Sequence, residues 1–331
     1  MGTTGLRRAT LVVLGAVVIA LGAVTYVYQR DIQRARDRVA SGSRIANTPC
    51  GPIEYAVAGD GPPVLVVHGA GGGFDQGLDF GKPLTARGFR IIAMSRFGYL
   101  RTPLPAHGSP AAQADAHACL LDALGLQRVA VLGISAGAPS SLQFALRHPQ
   151  RTTALVLVVP GAYRPRSVDD TRKMVAPAGT EFLRDTALRL DFLFWAAIRL
   201  APDSMTRLVL ATDPALVADA SREEQAEVAM VLEHIMPVSP RRIGLLNEAR
   251  VMSSLERYPL ERITAPTLAI SAQDDGYETY ESARYTAAHI PRARFLGYPS
   301  GGHMLVGHRQ EVTAEITRFL KERQRLNRSP D

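Results

Sequence analysis

The chain has 331 residues, 46% hydrophobic and 21% charged, a composition that suits a globular protein with a sizeable core and excludes a disordered or fibrous chain. Of its 38 basic residues, giving a formal charge of +7, only Lys82, Lys173 and Lys321 are lysines. The arginines are spread along the chain, with no basic stripe interleaved with aromatics, so the charge implies no nucleic-acid partner.

From Ala9 to Tyr28 there is no charge, over about the ~20 residues that cross a bilayer core. Arg7 and Arg8 precede this run, and Tyr26 and Tyr28 stand at its far end, where amphipathic rings suit a membrane interface. Residues 1–30 are therefore expected to form an uncleaved single-pass membrane anchor. The rival is a cleaved signal peptide, which would leave a secreted protein, but the small-x-small cleavage pattern is poorly formed around Leu21, Gly22 and Ala23. A buried helix of the globular domain is the third reading. Sidedness stays open, because Arg30, Arg34, Arg36, Arg38 and Arg44 load the other flank too.

Residues 31–49 alternate Arg and Asp with small polar residues and read as a solvated linker or juxtamembrane helix. Two cysteines, Cys50 and Cys119, are too few for a disulfide framework in a chain this long and lack metal-ligand spacing. Cys119, among Ala118, Leu120 and Leu121, reads as buried core. Pro52 to Ala58 has the pattern of a strand and Gly59 to Pro63 that of a turn. Val64 to Val67 is a short continuous apolar run, the mark of a strand buried on both faces. Arg90 to Met94, Val129 to Leu132, Leu155 to Val159 and Thr267 to Ile270 repeat it. Between them lie helical patterns at Ser109 to Leu124, Ala138 to His148, Tyr280 to His289 and Gln310 to Gln324. This alternation predicts an α/β fold with a mainly parallel sheet flanked by helices, its core divided between 50–163 and 264–326. Residues 164–263 show helical periodicity and no convincing strand, as expected of an inserted cap. The tail after Arg325 is expected to fray.

The sharpest motif is Gly133-Ile134-Ser135-Ala136-Gly137, entered by a predicted strand and left by a predicted helix. A tight strand-to-helix turn with small neighbours lifts a serine hydroxyl clear of the sheet and aims a helix N-terminus at it. A serine hydroxyl needs an adjacent base, itself oriented by a carboxylate. Asp274 and Asp275 lie in the loop after Thr267 to Ile270, and His303 follows Gly301-Gly302 after the predicted last strand, Phe295 to Tyr298. The other histidines lack such a setting. His68-Gly69-Ala70-Gly71-Gly72-Gly73 directly follows Val64 to Val67 and can bring backbone N–H groups of Ala70 or Gly71 to a developing oxyanion, alongside that of Ala136. A phosphate loop is disfavoured, since no Lys-Ser/Thr pair follows. His68 reads as a loop-orienting residue.

With these segments in order (VLVVHGAGGG, IIAMSRFGYLRT, VAVLGISAGAPS, PTLAISAQDD and GYPSGGHMLVGH), the chain from about Cys50 to Gln324 resembles the α/β-hydrolase superfamily. It is similar to the capped branch that includes esterases, lipases and hydrolases of aromatic meta-cleavage products. The resemblance implies a sheet of about eight strands, helices on both faces and an inserted helical cap. It selects Asp274, three residues after Ser271, as the acid beside nucleophile Ser135 and base His303, with Asp275 the alternative. Many relatives carry Asp where this chain has Ser95, so contacts in that loop are expected to differ. Serine at 135 argues against dehalogenase chemistry, which needs a carboxylate nucleophile. The expected activity is hydrolysis of an ester-type acyl bond in a small apolar substrate, with no cofactor and no metal. Carbon–carbon hydrolysis of a vinylogous diketone and ligand binding without turnover are the alternatives. Phe182, Phe192, Phe194 and Trp195 either pack between cap helices or line a substrate pocket.

Overall fold

Strand residues of this chain send alternate side chains into two separate cores, which is what burial on both faces demands. Leu65, Val67, Val131, Leu155 and Leu157 enter one core; Val64, Val66, Leu132, Val156 and Val158 enter the other. A computed structural model describes residues 3–165 and 185–326. The helix α1 (Thr3–Ala40) is followed by β1 (Arg44–Thr48), β2 (Gly51–Ala58), β3 (Pro63–Val67), α2 (Phe74–Thr85), β4 (Arg90–Met94), α3 (Pro110–Ala123), β5 (Val129–Ile134), α4 (Ala138–Arg147) and β6 (Thr152–Val158). Helices α5 (Asp191–Leu200), α6 (Pro202–Val209), α7 (Pro214–Asp219), α8 (Arg222–His234) and α9 (Arg242–Ser253) come next, then β7 (Thr267–Ala272), α10 (Thr279–His289), β8 (Ala293–Tyr298) and α11 (Arg309–Leu326). The eight strands form one sheet in the order β1-β2-β4-β3-β5-β6-β7-β8. The β1–β2 and β2–β4 pairs are antiparallel and the rest parallel. Loops after β3, β5, β7 and β8 therefore open along one edge of the sheet.

Local chemistry sets several helix starts. Ser109 accepts from Ala112 N at the head of α3, with Pro110 in the first turn. Asp213 caps α7 ahead of Pro214, and Ser221 caps α8, accepting from Glu224 N at 3.2 Å. Helix α2 has no such signal and contains Gly77, Gly81 and Pro83, all unfavourable for a helix. Its glycines are explained by the sheet beneath. A Cβ at Gly77 would come within 2.8 Å of Ala93 Cβ, and one at Gly81 within 2.5 Å of Ile91.

The apolar stretch of α1 is long enough to cross a membrane and none of it is buried, so it is not a core helix. Beyond it α1 runs on as a helix to Ala40 and packs against the inserted helices. Ile32 and Ala35 are buried against Met236, and Asp31 accepts from Trp195 Nε1 at 3.0 Å and Arg199 at 2.6 Å. Residues 44–48 then add strand β1 at the sheet edge.

The cysteines correct an expectation. Cys50 and Cys119 are joined as a disulfide between residues 69 apart in sequence. Their partnership is invisible in the spacing because the β1–β2 turn and α3 meet only in the fold. Closing so long a loop restricts the unfolded chain by about 4 kcal/mol on the loop-entropy estimate. Reduction and alkylation are accordingly expected to lower Tm by on the order of 5–10 °C in scanning calorimetry. An unchanged Tm would mean that the crosslink constrains nothing.

Candidate active site

The turn from β5 into α4 is tight because its flanking positions have no room for a side chain. A Cβ at Gly137 would lie 2.4 Å from the Val67 carbonyl, and one at Gly133 2.4 Å from Ser141 Oγ. Ser135 itself has φ 48°, a left-handed conformation that costs a non-glycine residue on the order of 1–3 kcal/mol and persists because the surroundings enforce it. Its Oγ lies 2.9 Å from His303 Nε2. His303 Nδ1 lies 2.8 Å from Asp275 Oδ2. Asp275 is buried, accepts from Tyr277 N at 2.8 Å through Oδ1 and receives the Thr279 hydroxyl on Oδ2. Three loops thus join a hydroxyl, an imidazole and a carboxylate.

The acid expected from the resemblance, Asp274, is not the one on the histidine. Its carboxylate accepts from Gly302 N at 2.8 Å and Gly301 N at 3.1 Å, clamping the loop that carries His303. In the turn after β7 the two carboxylates thus serve different partners, Asp274 the Gly301–Gly302 backbone and Asp275 the ring. Which one meets the ring depends on how the β7 loop turns, and spacing alone does not reveal that.

The glycine loop after β3 abuts the serine, since a Cβ at Gly69 would be 3.1 Å from Ser135 Cβ. His68 is fully buried, with Nδ1 2.7 Å from Gly69 O and Nε2 accepting from Arg96 N at 2.9 Å. Burial, reinforced by the Arg96 charge, pushes its pKa well down, so a neutral ring holds the loop, as its expected orienting role requires. Ala70 lines the cavity in front of Ser135. Gly71, the alternative expected donor, is not among the residues lining that cavity; a Cβ there would lie 3.3 Å from Ile235 Cγ2. Ala136, mostly buried, follows the serine and also faces a smaller polar cavity on the far side of the turn.

Sequence reasoning missed two arginines that hold these loops. Arg96 donates to Gly69 O at 3.1 Å and Ala136 O at 3.2 Å, with Glu248 of α9 as its counter-charge. Arg241, wholly buried, donates to Gly72 O at 2.6 Å and to Asp75 Oδ2 at 2.7 Å. Tyr277 was missed as well. Its ring meets His303 edge-on at 4.9 Å, and its hydroxyl donates to Val209 O at 3.0 Å. None carries a sequence signature, since each acts through partners distant in the chain.

In front of Ser135 lies a cavity of about 110 Å³. On the side of the inserted helices it is lined by Val209, Leu210, Val231 and Ile235. Two readings are open for the cap aromatics; Phe192, Phe194 and Trp195 do not line the cavity. Phe192 and Trp195 pack against Tyr28 of α1, with ring centroids 5.2 and 5.4 Å away, and Phe194 joins the packing among the inserted helices. They face α1 because the exit of the apolar run needs an apolar, hydrogen-bonding partner, which Trp195 supplies through Asp31. Phe182 lies outside the described residues.

A family model described as the alpha/beta hydrolase fold matches residues 62–307. An uncharacterised hydrolase of Bacillus subtilis is 28% identical over 263 residues, which cover 77% of this chain and 89% of its own. The 2-hydroxy-6-oxo-6-phenylhexa-2,4-dienoate hydrolase of Burkholderia cepacia is 24% identical over 270 residues, 74% of this chain and 82% of its own. Among solved structures, an alpha/beta hydrolase fold protein from Nakamurella multipartita superposes with a TM-score of 0.62 at 29% identity, covering 83% of this chain and 98% of that one.

Proposed function

The chain belongs to the α/β-hydrolase family, and from that premise we propose that it is a serine hydrolase of apolar esters, working through Ser135, His303 and Asp275. The observation that carries this reading is the unbroken relay from Ser135 Oγ to His303 Nε2 at 2.9 Å and from His303 Nδ1 to Asp275 at 2.8 Å. Ser135 Oγ attacks the ester carbonyl while His303 Nε2 takes the hydroxyl proton, and Asp275 holds the imidazole with its other nitrogen protonated. The tetrahedral oxyanion is received by the N–H groups of Ala70 and Ala136. Its collapse breaks the bond to the alcohol, which leaves with the proton from His303. Water then attacks the acyl-enzyme, gives its proton to His303, and the serine regains it as the acid departs.

Helices α5 to α9, inserted between β6 and β7, act as a cap over this site. The exposed apolar run of α1 serves as a membrane anchor, and the Cys50–Cys119 bridge supports a catalytic domain on the oxidising side.

The name of the Burkholderia relative favours a second reading, carbon–carbon hydrolysis of a dienoate. Such a substrate brings a carboxylate that needs a counter-charge when buried. Among the described lining residues the one guanidinium is that of Arg309, already ion-paired with Glu227, which favours the ester. A fluorophosphonate probe is expected to label the full chain once, on the peptide bearing Ser135. An aryl ester should be turned over at least 100-fold faster than a 2-hydroxy-6-oxo-dienoate. Absence of labelling would end the serine mechanism, and the opposite substrate preference would establish the second reading.

A further inference from the structure

The cavity does not stop under the cap. It continues from Ser135 into the molecule, over the sheet face that Leu132 and Ile134 of β5 and Val158 of β6 present. One wall is α2, through Gln76, Phe80 and Leu84, positions i, i+4 and i+8 on a single helical face. The opposite wall is α11, through Arg309, Val312, Thr313 and Ile316, which share a face by the same spacing. At 1.5 Å of rise per residue, these walls run about 12 Å along α2 and roughly 10 Å along α11. Pro83 and Thr313, both half-buried, also line it, Thr313 partway along the α11 wall. The floor is aliphatic and belongs to the core that α2 and α11 cover.

We propose that this gap between α2 and α11 is a channel for one unbranched acyl chain, threaded inward from the carbonyl held at Ser135, so that the substrates are esters of medium-length to long fatty acids. The assignment rests on the ester-hydrolase reading above and adds the substrate class to it. A cavity walled by two helices and floored by aliphatic strand residues offers a linear acyl chain apolar contact along its length. Its length is that of an extended chain, not of an acetyl group. Each methylene taken from water into such a lining favours the complex roughly fourfold. The charged groups at the channel are confined to the Ser135 end and to Arg309, whose partner Glu227 already neutralises it.

The test uses the full chain in detergent micelles and p-nitrophenyl esters from acetate to hexadecanoate. In the unaltered protein kcat/KM rises steeply with acyl length and then levels off. Thr313→Phe obstructs the channel partway along α11 and lowers the ratio of kcat/KM for dodecanoate to that for acetate at least tenfold. Phe80→Ala widens the channel and moves the optimum to longer acyl chains. A merely structural defect would scale all chain lengths alike, so unchanged ratios in both variants overturn the channel. Lengthening the alcohol of acetate esters instead should leave the Thr313→Phe effect independent of length; a length-dependent loss there would assign the slot to the alcohol and overturn the acyl assignment. Binding is tested apart from chemistry with Ser135→Ala and a dodecanoic acid bearing a terminal diazirine. Photolabelling at Phe80–Leu84 or Thr313–Ile316 supports the channel even if no ester is hydrolysed, an outcome that would sink only the ester reading. Labelling confined to α5–α9 overturns the channel whatever the activity.

Discussion

Asp275→Asn is expected to lower kcat about 10⁴-fold, the scale on which a triad loses activity when its histidine takes the wrong tautomer, whereas Asp274→Asn should cost about tenfold. The asymmetry follows from what each carboxylate accepts. Asp275 receives the Tyr277 N–H on one oxygen and both His303 Nδ1 and the Thr279 hydroxyl on the other. An amide has a single oxygen. If that oxygen keeps the backbone bond to Tyr277, the NH₂ group turns to His303 and forces the ring to accept at Nδ1. The proton then sits on Nε2, facing Ser135, and the base is lost. Asp274 accepts only backbone N–H groups, from Gly301 and Gly302. Asparagine there keeps one bond and strands the other amide, a penalty of about 1–3 kcal/mol spent on loop order rather than on chemistry. Steady-state kinetics of the two variants decide the matter. Equal losses, or the larger loss at 274, would remove Asp275 from the relay.

Ser135→Ala is expected to lower kcat on the order of 10⁶-fold and to abolish fluorophosphonate labelling, while Tm stays within about 1 °C. Alanine meets the same left-handed strain at φ 48° that serine meets, so the turn neither gains nor loses from the exchange. The hydroxyl donates to His303 and packs on nothing that an absent oxygen would collapse. Residual turnover should remain 10³–10⁴-fold above that in water, supplied by oxyanion donors and binding alone. Hydrolysis at more than about one per cent of the unaltered rate in this variant would show that another group attacks the substrate.

Much of this was written in local sequence. The continuous apolar runs predicted β3, β4, β5, β6 and β7 close to their observed positions, because a strand buried on both faces has no room for polar alternation. The elbow around Ser135 and the glycine loop before α2 were legible for a similar reason. A residue that cannot bear a Cβ, as at Gly133 and Gly137, must be glycine wherever the chain is later placed. His303 was legible from its glycine-rich approach. In each case the constraint is carried by a few adjacent residues.

What adjacency could not carry, the tertiary structure decided. Helix α2 forms against its own propensity because β4 lies close enough to require glycines. Cys50 finds Cys119 only when the β1–β2 turn and α3 meet. Asp275 rather than Asp274 meets His303, the turn after β7 giving the two carboxylates different partners. Phe192 and Trp195 turn to α1, leaving aliphatic residues of α2, α11 and the sheet to line the cavity. Sequence fixes which groups are available and the local bends that display them. Pairings between distant loops, and the shape of the space they enclose, are set by packing over the whole molecule, since the free energy of such a contact depends on both partners arriving together.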